Sequence, residues 1–478
     1  MNFGENETNR WNSSPHFQQS SYRLIDRFIR LKTTYWNREY AIILLAYTGL
    51  SIVSHQFIFH YKFFEFLSDQ NKLQINSSHY NYISYYEYGC IIGFLPTGVL
   101  ATIYPAHNIL GIIVIISSIL YLIIVMSIYY IDGITHSVLQ FCMGMTMGGA
   151  YSAILRVWTY WVPLNSQSIR HIPIILYDMI HDGGYIYEHI IALHHTYSSY
   201  TLTLSIGVFG LAWYVLWLYV INDNQFRRLN RDIILFGGSN NPRYPLEKPE
   251  LSFTRSIVTD IPWKSLFTSM PVLVIFLLYV CDGQISFKKP DGDSDIQDNY
   301  YKSQARIFTI ILLIIIVILV ELAPEITVSI STTNIRKFWN CFYFGSMSIY
   351  FILEAIVGNP LEINRIYYII LIELEYLSYF GYFLNYLDIA PNYASLIFSF
   401  LMVIYYTSNI LCEAILWNIF NSKILSDAET NILKAAICLT LGKLYLIFGS
   451  AEIQPWAANI PGEENQQNLV ENENLPSV

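Results

Sequence analysis

Twelve apolar stretches, each long enough to cross a lipid bilayer, constrain this chain more than anything else in it. They lie at about 40–63, 83–104, 109–130, 138–161, 172–193, 201–221, 266–287, 306–328, 338–358, 365–387, 393–417 and 431–449, and are numbered span 1 to span 12 in that order. A helix crossing the hydrocarbon core needs about 20 apolar residues. Composition agrees: of 478 residues, 54% are hydrophobic and only 13% charged. A soluble domain carries about 25% charged residues. This balance excludes a disordered protein and a soluble enzyme of several domains. The expected fold is all-α, a membrane protein with twelve transmembrane helices.

Charge then orients the spans. Residues 1–22 are polar and lack the basic-then-apolar pattern of a signal peptide. Arg23, Arg27, Arg30, Lys32 and Arg38 precede span 1, which reads as a cytoplasmic flank. The stretch between spans 6 and 7 carries Arg227, Arg228, Arg231, Arg243, Lys248, Arg255 and Lys264, and reads the same way. Glu65, Asp69 and Lys72 fall in an exterior loop, as do Asp291, Asp293, Asp295 and Asp298. Arg170 and the pair Arg336–Lys337 fall inside. The expected organisation is an N-terminal segment 1–39, a six-helix bundle 40–221, a central cytoplasmic loop 222–264, a second six-helix bundle 265–450 and an acidic tail 451–478. Six spans, a basic middle loop and six more spans resemble the layout of the major facilitator superfamily, whose members are secondary transporters. The partners this implies are a small-molecule substrate and the bilayer. Net charge is −9, from 27 basic and 36 acidic residues, which argues against nucleic acid.

Four segments narrow the resemblance. They are Pro262-Trp-Lys-Ser-Leu-Phe-Thr-Ser-Met-Pro-Val272 leading into span 7, Ser331-Thr-Thr-Asn-Ile-Arg-Lys337 leading into span 9, Asn385-Tyr-Leu-Asp-Ile-Ala-Pro-Asn-Tyr-Ala-Ser395 between spans 10 and 11, and Gln454-Pro-Trp-Ala457 after span 12. Tyr88-Gly89, Pro96-Thr97-Gly98 and Trp158-Thr-Tyr-Trp-Val-Pro163 add weaker matches in spans 2 and 4. In this order and spacing the chain resembles solute carrier family 17 over about 40–457. That family includes vesicular glutamate transporters, sialin and sodium–phosphate cotransporter relatives. The resemblance implies transport of small organic anions or phosphate, driven by protons, sodium or voltage. It implies no enzyme and no cofactor, and a vesicular, lysosomal or plasma membrane. An anion in a low-dielectric cavity needs fixed positive charge, which the family supplies as arginines in spans 1, 4 and 7. Residue by residue, those positions fall here on Phe57, Gln140 and Asp282. A span 4 glutamate falls on Met147 and a histidine on Leu155. Phe57, Gln140, Met147 and Asp282 are therefore the candidate substrate-binding positions. The departures leave open a neutral or cationic substrate, or a relative that has become a scaffold or receptor.

Other polar groups lie within the spans. In span 5, Asp178, Asp182, Tyr185 and His189 recur at helical spacing on one face. Acids and histidines inside a membrane often mark a proton or cation path; a wet helix without a specific ligand is the plainer reading. Glu373 and Glu375 in span 10 and Glu413 in span 11 are further candidates for coupling to H+ or Na+. Asp178, Asp182, His189 and Glu373 are the coupling residues this reading selects. Lys443 in span 12 either pairs with an acid or extends to the interface. Glu188-His189 and His194-His195 have the wrong spacing for a di-iron histidine-box enzyme, and no histidine follows His195. Asn76-Ser-Ser78 is a glycosylation sequon in the exterior loop after span 1; Asn6 and Asn12 carry sequons on the cytoplasmic side. The aspartates at 291–298 lack the glycine and terminal glutamate of a calcium loop. The six cysteines lie in or beside apolar runs and read as small buried hydrophobes.

Overall fold

The computed structural model describes residues 38–69, 79–127, 133–161, 203–221, 261–285, 331–357, 378–421 and 426–458. Span 1 is a helix over Arg38–Asp69, span 2 over His79–Ile103, span 3 over Ala106–Ser127 and span 4 over Gly133–Trp161. Span 6 is helical over 203–221. Span 7 runs Trp263–Thr268 and Met270–Ile285, span 9 Thr332–Val357, span 11 Ala394–Asn421 and span 12 Asp427–Phe448. The end of span 10 is a π-turn, Tyr379–Phe383, and a short helix, Tyr386–Ile389. The described residues form no strand. Spans 5 and 8 lie outside the described residues, and so do Asn76, Asp178, Asp182, His189, Glu373 and Glu375.

Lipid-facing surfaces are legible residue by residue. On span 3, Ile112, Ile116, Ile119, Ile123 and Met126 are all exposed. Their spacing of three and four residues puts them in one stripe along the helix. An exposed stripe of pure aliphatic side chains would be a liability in water and is ordinary in hydrocarbon. The opposite face, with Leu110, Val114, Ser117, Tyr121 and Ile124, is buried.

Helices in lipid gain nothing from excluding water, so close packing and polar contacts must hold them. Spans 1, 2, 3, 4 and 6 use both. Gly89 and Gly93 on span 2 face Gly144 and Gly148 on span 4, two glycines four residues apart on each helix. A Cβ at Gly144 would collide with the Tyr86 carbonyl and lie 3.0 Å from the Gly89 Cα. The two backbones touch, as only glycine allows. Span 1 joins span 3 through Gln56, which is fully buried; its Oε1 accepts from Ser117 Oγ at 2.6 Å and its Nε2 donates to Ser118 Oγ at 2.9 Å. Trp213 on span 6 covers Gly49 and donates from Nε1 to Thr48 Oγ1 at 2.8 Å.

Spans 7, 9, 10, 11 and 12 form a second packed group. Tyr279 on span 7 donates to the Phe383 carbonyl at 3.0 Å, and Ser348 on span 9 donates to the Ala435 carbonyl of span 12 at 3.1 Å. Span 12 opens with a capping box: the Ser426 hydroxyl accepts from Glu429 N, and the Glu429 carboxylate accepts from Ser426 N. Spans 10 and 11 meet at 99°.

Several sequence expectations change in detail. Span 1 continues to Asp69, so Glu65 and Asp69 lie on the helix and not in the loop after it. Span 7 begins earlier than its apolar run and breaks at Ser269, whose extended backbone separates two helical pieces. Lys443 is exposed and makes no ion pair among the described residues, which fits a side chain reaching for the interface. Arg336, expected on the cytoplasmic side, is buried there, at 4% exposed.

Candidate functional site

The candidate binding positions fall into different surroundings. Phe57 is half-buried and stacks on Tyr86 of span 2, with centroids 3.5 Å apart and planes at 12°. Gln140 is 3% exposed; its Nε2 lies 3.5 Å from Nε2 of His136, one turn away and equally buried. Met147 is packed between spans 1 and 4, its sulfur accepting from the Ser54 hydroxyl at 3.5 Å. Asp282 belongs to the span 7 helix, but its side chain is outside what is described. Where the family resemblance implies guanidinium groups in spans 1 and 4, this chain therefore has an aromatic stack and a buried amide. Arg156, the remaining span 4 arginine, is half-buried near the end of that helix.

The four segments behind the resemblance come together in space. Arg336, from the segment before span 9, donates from Nε to Asp388 Oδ2 at 2.8 Å, in the segment between spans 10 and 11. Its Nη1 donates to the Phe380 carbonyl at 2.8 Å. Gly381 has φ −92° and ψ −113°, which breaks the helix there; Arg336 thus serves a carbonyl beside the break. Asn385 is fully buried and donates to Tyr445 Oη at 2.8 Å and to the Ser450 carbonyl at 2.9 Å. Gln454 N donates to the Ile389 carbonyl at 2.9 Å, Ala451 N to Thr333 Oγ1 at 3.0 Å, and Ser269 Oγ to Gln454 Oε1 at 3.4 Å. Trp456 packs on Tyr393. The starts of spans 7 and 9, the junction of spans 10 and 11 and the residues after span 12 are thus one polar knot. This end of the molecule is the one the charge pattern assigns to the cytoplasm, and it is called the inner end below.

Beside the knot, the two groups of helices meet. Ser399 on span 11 lies 2.8 Å from Ser152 on span 4, oxygen to oxygen. Thr102 on span 2 lies 3.4 Å from Ser395 in the same way, and Ser395 Oγ also donates to the Gly98 carbonyl at 3.4 Å. A Cβ at Gly98 would collide with Ser399 Oγ and lie 2.7 Å from Ser399 Cβ. Rings accompany the hydroxyls: Phe94, one turn before Gly98, meets Phe398 and Tyr406 at 6.1 and 5.9 Å between centroids, and Tyr151, next to Ser152, meets Phe398, next to Ser399, at 6.2 Å. The seam therefore combines hydroxyls with aromatic rings. Sequence reasoning missed both the seam and the Arg336–Asp388 pair. The only signal was indirect: Arg336, Asp388 and Ser395 all stand in the segments shared with the family.

The comparisons with known proteins match this geometry. Over 394 residues the chain is 24% identical to vesicular glutamate transporter 2 of Homo sapiens, an alignment covering 77% of this chain and 64% of that protein. It is 23% identical to vesicular glutamate transporter 1 of Xenopus tropicalis, over 77% of this chain and 65% of the relative. Identity to the probable vesicular glutamate transporter eat-4 of Caenorhabditis elegans is also 23%, over 80% and 66%. The chain thus matches a little under two thirds of the length of these relatives. No family model matches it. Among solved structures, it resembles the proton:xylose symporter XylE bound to 6-bromo-6-deoxy-D-glucose, with a TM-score of 0.59 and 11% identity over 86% of this chain and 96% of that one. It resembles the E. coli fucose:proton symporter FucP with a TM-score of 0.51 and 12% identity, over 87% and 99%. At such identities these structures show the fold alone. The fold is therefore that of an all-α, multi-pass membrane protein of the major facilitator type. In sequence it is similar to vesicular glutamate transporters, the similarity its four segments implied.

Proposed function

We propose that this chain is a secondary transporter that moves a small organic solute across a membrane by alternating access between its two helix bundles. The observation that carries the proposal is the inner seam. It joins the bundles through hydroxyls, a glycine and a few rings, while each bundle is held internally by backbone contact and buried polar bonds. Alternating access needs such a division: two rigid bodies and a separable contact between them. In this arrangement spans 2 and 4 meet span 11 at the inner end.

The substrate class that comes with the relatives is small organic anions, glutamate- or sialic acid-like, or phosphate. Coupling would be to H+ or Na+ through Asp178, Asp182, His189 or Glu373, in a vesicular, lysosomal or plasma membrane. Asn76 would carry a glycan on the exterior side. A second reading, a neutral or cationic solute, is favoured by one observation. Phe57 stacks on Tyr86 and Gln140 lies beside His136, at the positions where the family resemblance implies arginines. Losing a hydrogen bond to a charged group costs about 1.5–3 kcal/mol, roughly 10- to 100-fold in affinity per site. The test is uptake by purified protein in proteoliposomes against a panel of anions, cations and neutral solutes, with imposed pH and sodium gradients. Accumulation of any one solute above empty liposomes supports the transporter reading. Anion uptake that rises in Phe57→Arg with Gln140→Arg supports the second reading for the wild type. No accumulation of any solute, from protein that is folded and oriented, sinks the proposal and favours a scaffold.

A further inference from the structure

Spans 9 and 12 run side by side, and their charges are unevenly placed. Glu354 lies near the outer end of span 9, and Asp427 and Glu429 in the first turn of span 12. The inner halves of the two helices carry Arg336, Lys337 and Lys443 and no acid. Arg336 is held by Asp388. Lys337, half-buried, and Lys443, exposed, form no ion pair among the described residues. Each stands five residues from the inner end of its helix, Lys337 after Thr332 and Lys443 before Phe448. At a helical rise of about 1.5 Å per residue, both start roughly 8 Å inside that end. The rings of Phe338, Trp339 and Phe342 share this level. Trp339 meets Phe338 at 5.3 Å and Phe342 at 6.2 Å between centroids, and both phenylalanines are exposed. Exposed aromatic rings mark the headgroup level of a bilayer.

The two lysines flank one cleft. The Cys341 thiol donates to the Gly442 carbonyl at 3.8 Å, so span 9 touches span 12 next to Lys443. Lys337 stands one turn before Cys341 on the same face, and its charge acts on that thiol. One turn further on, a Cβ at Gly345 would meet nothing within 4 Å, and one at Gly442 would meet only the Phe344 Cβ, at 3.5 Å. The cleft is therefore lined by small residues. Exposed Phe338 and Phe342 flank it on one side, and exposed Leu439 and Leu446 on the other. An ammonium at this depth needs a counter-charge, and the inner halves of these helices supply none. We propose that the inner end of this cleft binds an anionic glycerophospholipid from the adjoining leaflet. Lys337 and Lys443 hold its phosphate, and an acyl chain lies along Cys341 and Gly345. Basic pockets between spans recognise such headgroups by charge, and the apolar walls favour a lipid over a soluble anion. The site lies on the lipid-facing side of the second bundle, outside the seam, and does not depend on transport.

Native mass spectrometry of the purified, delipidated full chain tests this, with phosphatidylglycerol and phosphatidylcholine as probes. Both carry a phosphate and can carry the same acyl chains, but only the first has a net charge. The wild type should bind phosphatidylglycerol about tenfold more tightly. Lys337→Gln and Lys443→Gln should each weaken that binding about fivefold, and the double variant about 25-fold, with phosphatidylcholine little changed. Lys264→Gln removes an exposed lysine of the same inner end, on span 7, and should change neither affinity. Gly345→Leu fills the cleft without a clash and should weaken both lipids alike. Glycerol phosphate, which has the phosphate but no chains, should fail to displace the bound lipid. A double lysine variant that keeps the wild-type preference overturns the proposal. So does an equal loss in Lys264→Gln, which would make the attraction one of general surface charge. Displacement by glycerol phosphate would replace the lipid by a soluble anion, and Gly345→Leu without effect would take the acyl chain out of the cleft. Either result overturns the site.

Discussion

The inner end holds two polar contacts side by side, built on opposite plans. The knot uses a buried ion pair, Arg336–Asp388, with side chains 5% and 9% exposed, and a buried amide, Asn385, bonded to span 12 and to the residue that follows it. The seam uses hydroxyls and a glycine. A buried charge that loses its partner is left uncompensated in a low-dielectric interior, so an ion pair is a poor choice for a contact that must open often. Ser152 and Ser399 each also reach a carbonyl four residues back on their own helix, at 3.1 and 2.7 Å, so this pair loses little on parting. The difference separates the part this account holds rigid from the part it lets move: a buried ion pair and a bonded amide lie within the second bundle, and hydroxyl contacts lie between the bundles.

That comparison can be broken at several strengths. The largest effect is expected at Gly144, inside the first bundle. Gly144→Leu drives a side chain into the Tyr86 carbonyl and the Gly89 backbone, neither of which can move aside. Loss of folded protein, seen as aggregation in size-exclusion chromatography, is the expected outcome; a monodisperse variant would mean that spans 2 and 4 cross less closely. Next comes the knot. Arg336→Met leaves Asp388 buried without its cation and should cost about 3–5 kcal/mol. Adding Asp388→Leu should recover much of that loss in thermal unfolding. If the double variant is as unstable as the single one, the pair is not the source of the cost.

Smaller effects sharpen the account. Asn385→Ala removes the donor to Tyr445 and Ser450 and should destabilise by about 1–3 kcal/mol through the unpaired groups. Asn340 offers the opposite sign. It is fully buried one turn from Arg336, against the Gly381 break, and neither its Nδ2 nor its Oδ1 has a partner among the described residues. Asn340→Leu, similar in shape, should leave the unfolding temperature unchanged or raise it. A clear fall would show that the amide has a bonded role. Smallest of all is Ser399→Ala, which should shift stability by about 0.6 kcal/mol, near the limit of detection.

Much of the fold is legible in the residues, and the reason is the solvent. Lipid demands about 20 apolar residues for every crossing, so spans 1–4, 6, 9, 11 and 12 stand out as runs and are found as helices close to the expected places. Their ends are less legible. Span 1 runs on through Glu65 to Asp69 because nothing in the hydropathy marks where a helix leaves the bilayer but keeps its hydrogen bonds. The site is harder still. Arg336 and Asp388 are 52 residues apart in sequence, and Ser152 and Ser399 are 247 apart. No local pattern links them. A charge bias places Arg336 on the cytoplasmic side, but only tertiary packing reveals that it is buried against a helix break that no composition announces. Phe57, Gln140 and Met147 came from the family resemblance alone, and the structure finds them in an aromatic stack, beside a histidine and in a helix contact. The glycines of spans 2 and 4 are a signal that hydropathy and charge pass over: a four-residue repeat on each of two apolar helices is the usual mark of close crossing.

The central claim is that the inner ends of the two bundles separate while the knot stays whole. Spin labels and pulsed distance measurements test it directly in liposomes. One pair, at Asn108 and Asn392, spans the seam from the start of span 3 to the start of span 11. The other, at Thr332 and Glu452, spans the knot within the second bundle, and both of its positions are exposed. The account predicts two distance populations for the first pair, exchanging weight when Gly98 is changed to Ala, and a single unchanged distance for the second. One distance for Asn108–Asn392 under every condition, or a Thr332–Glu452 distance that moves with it, would contradict the account.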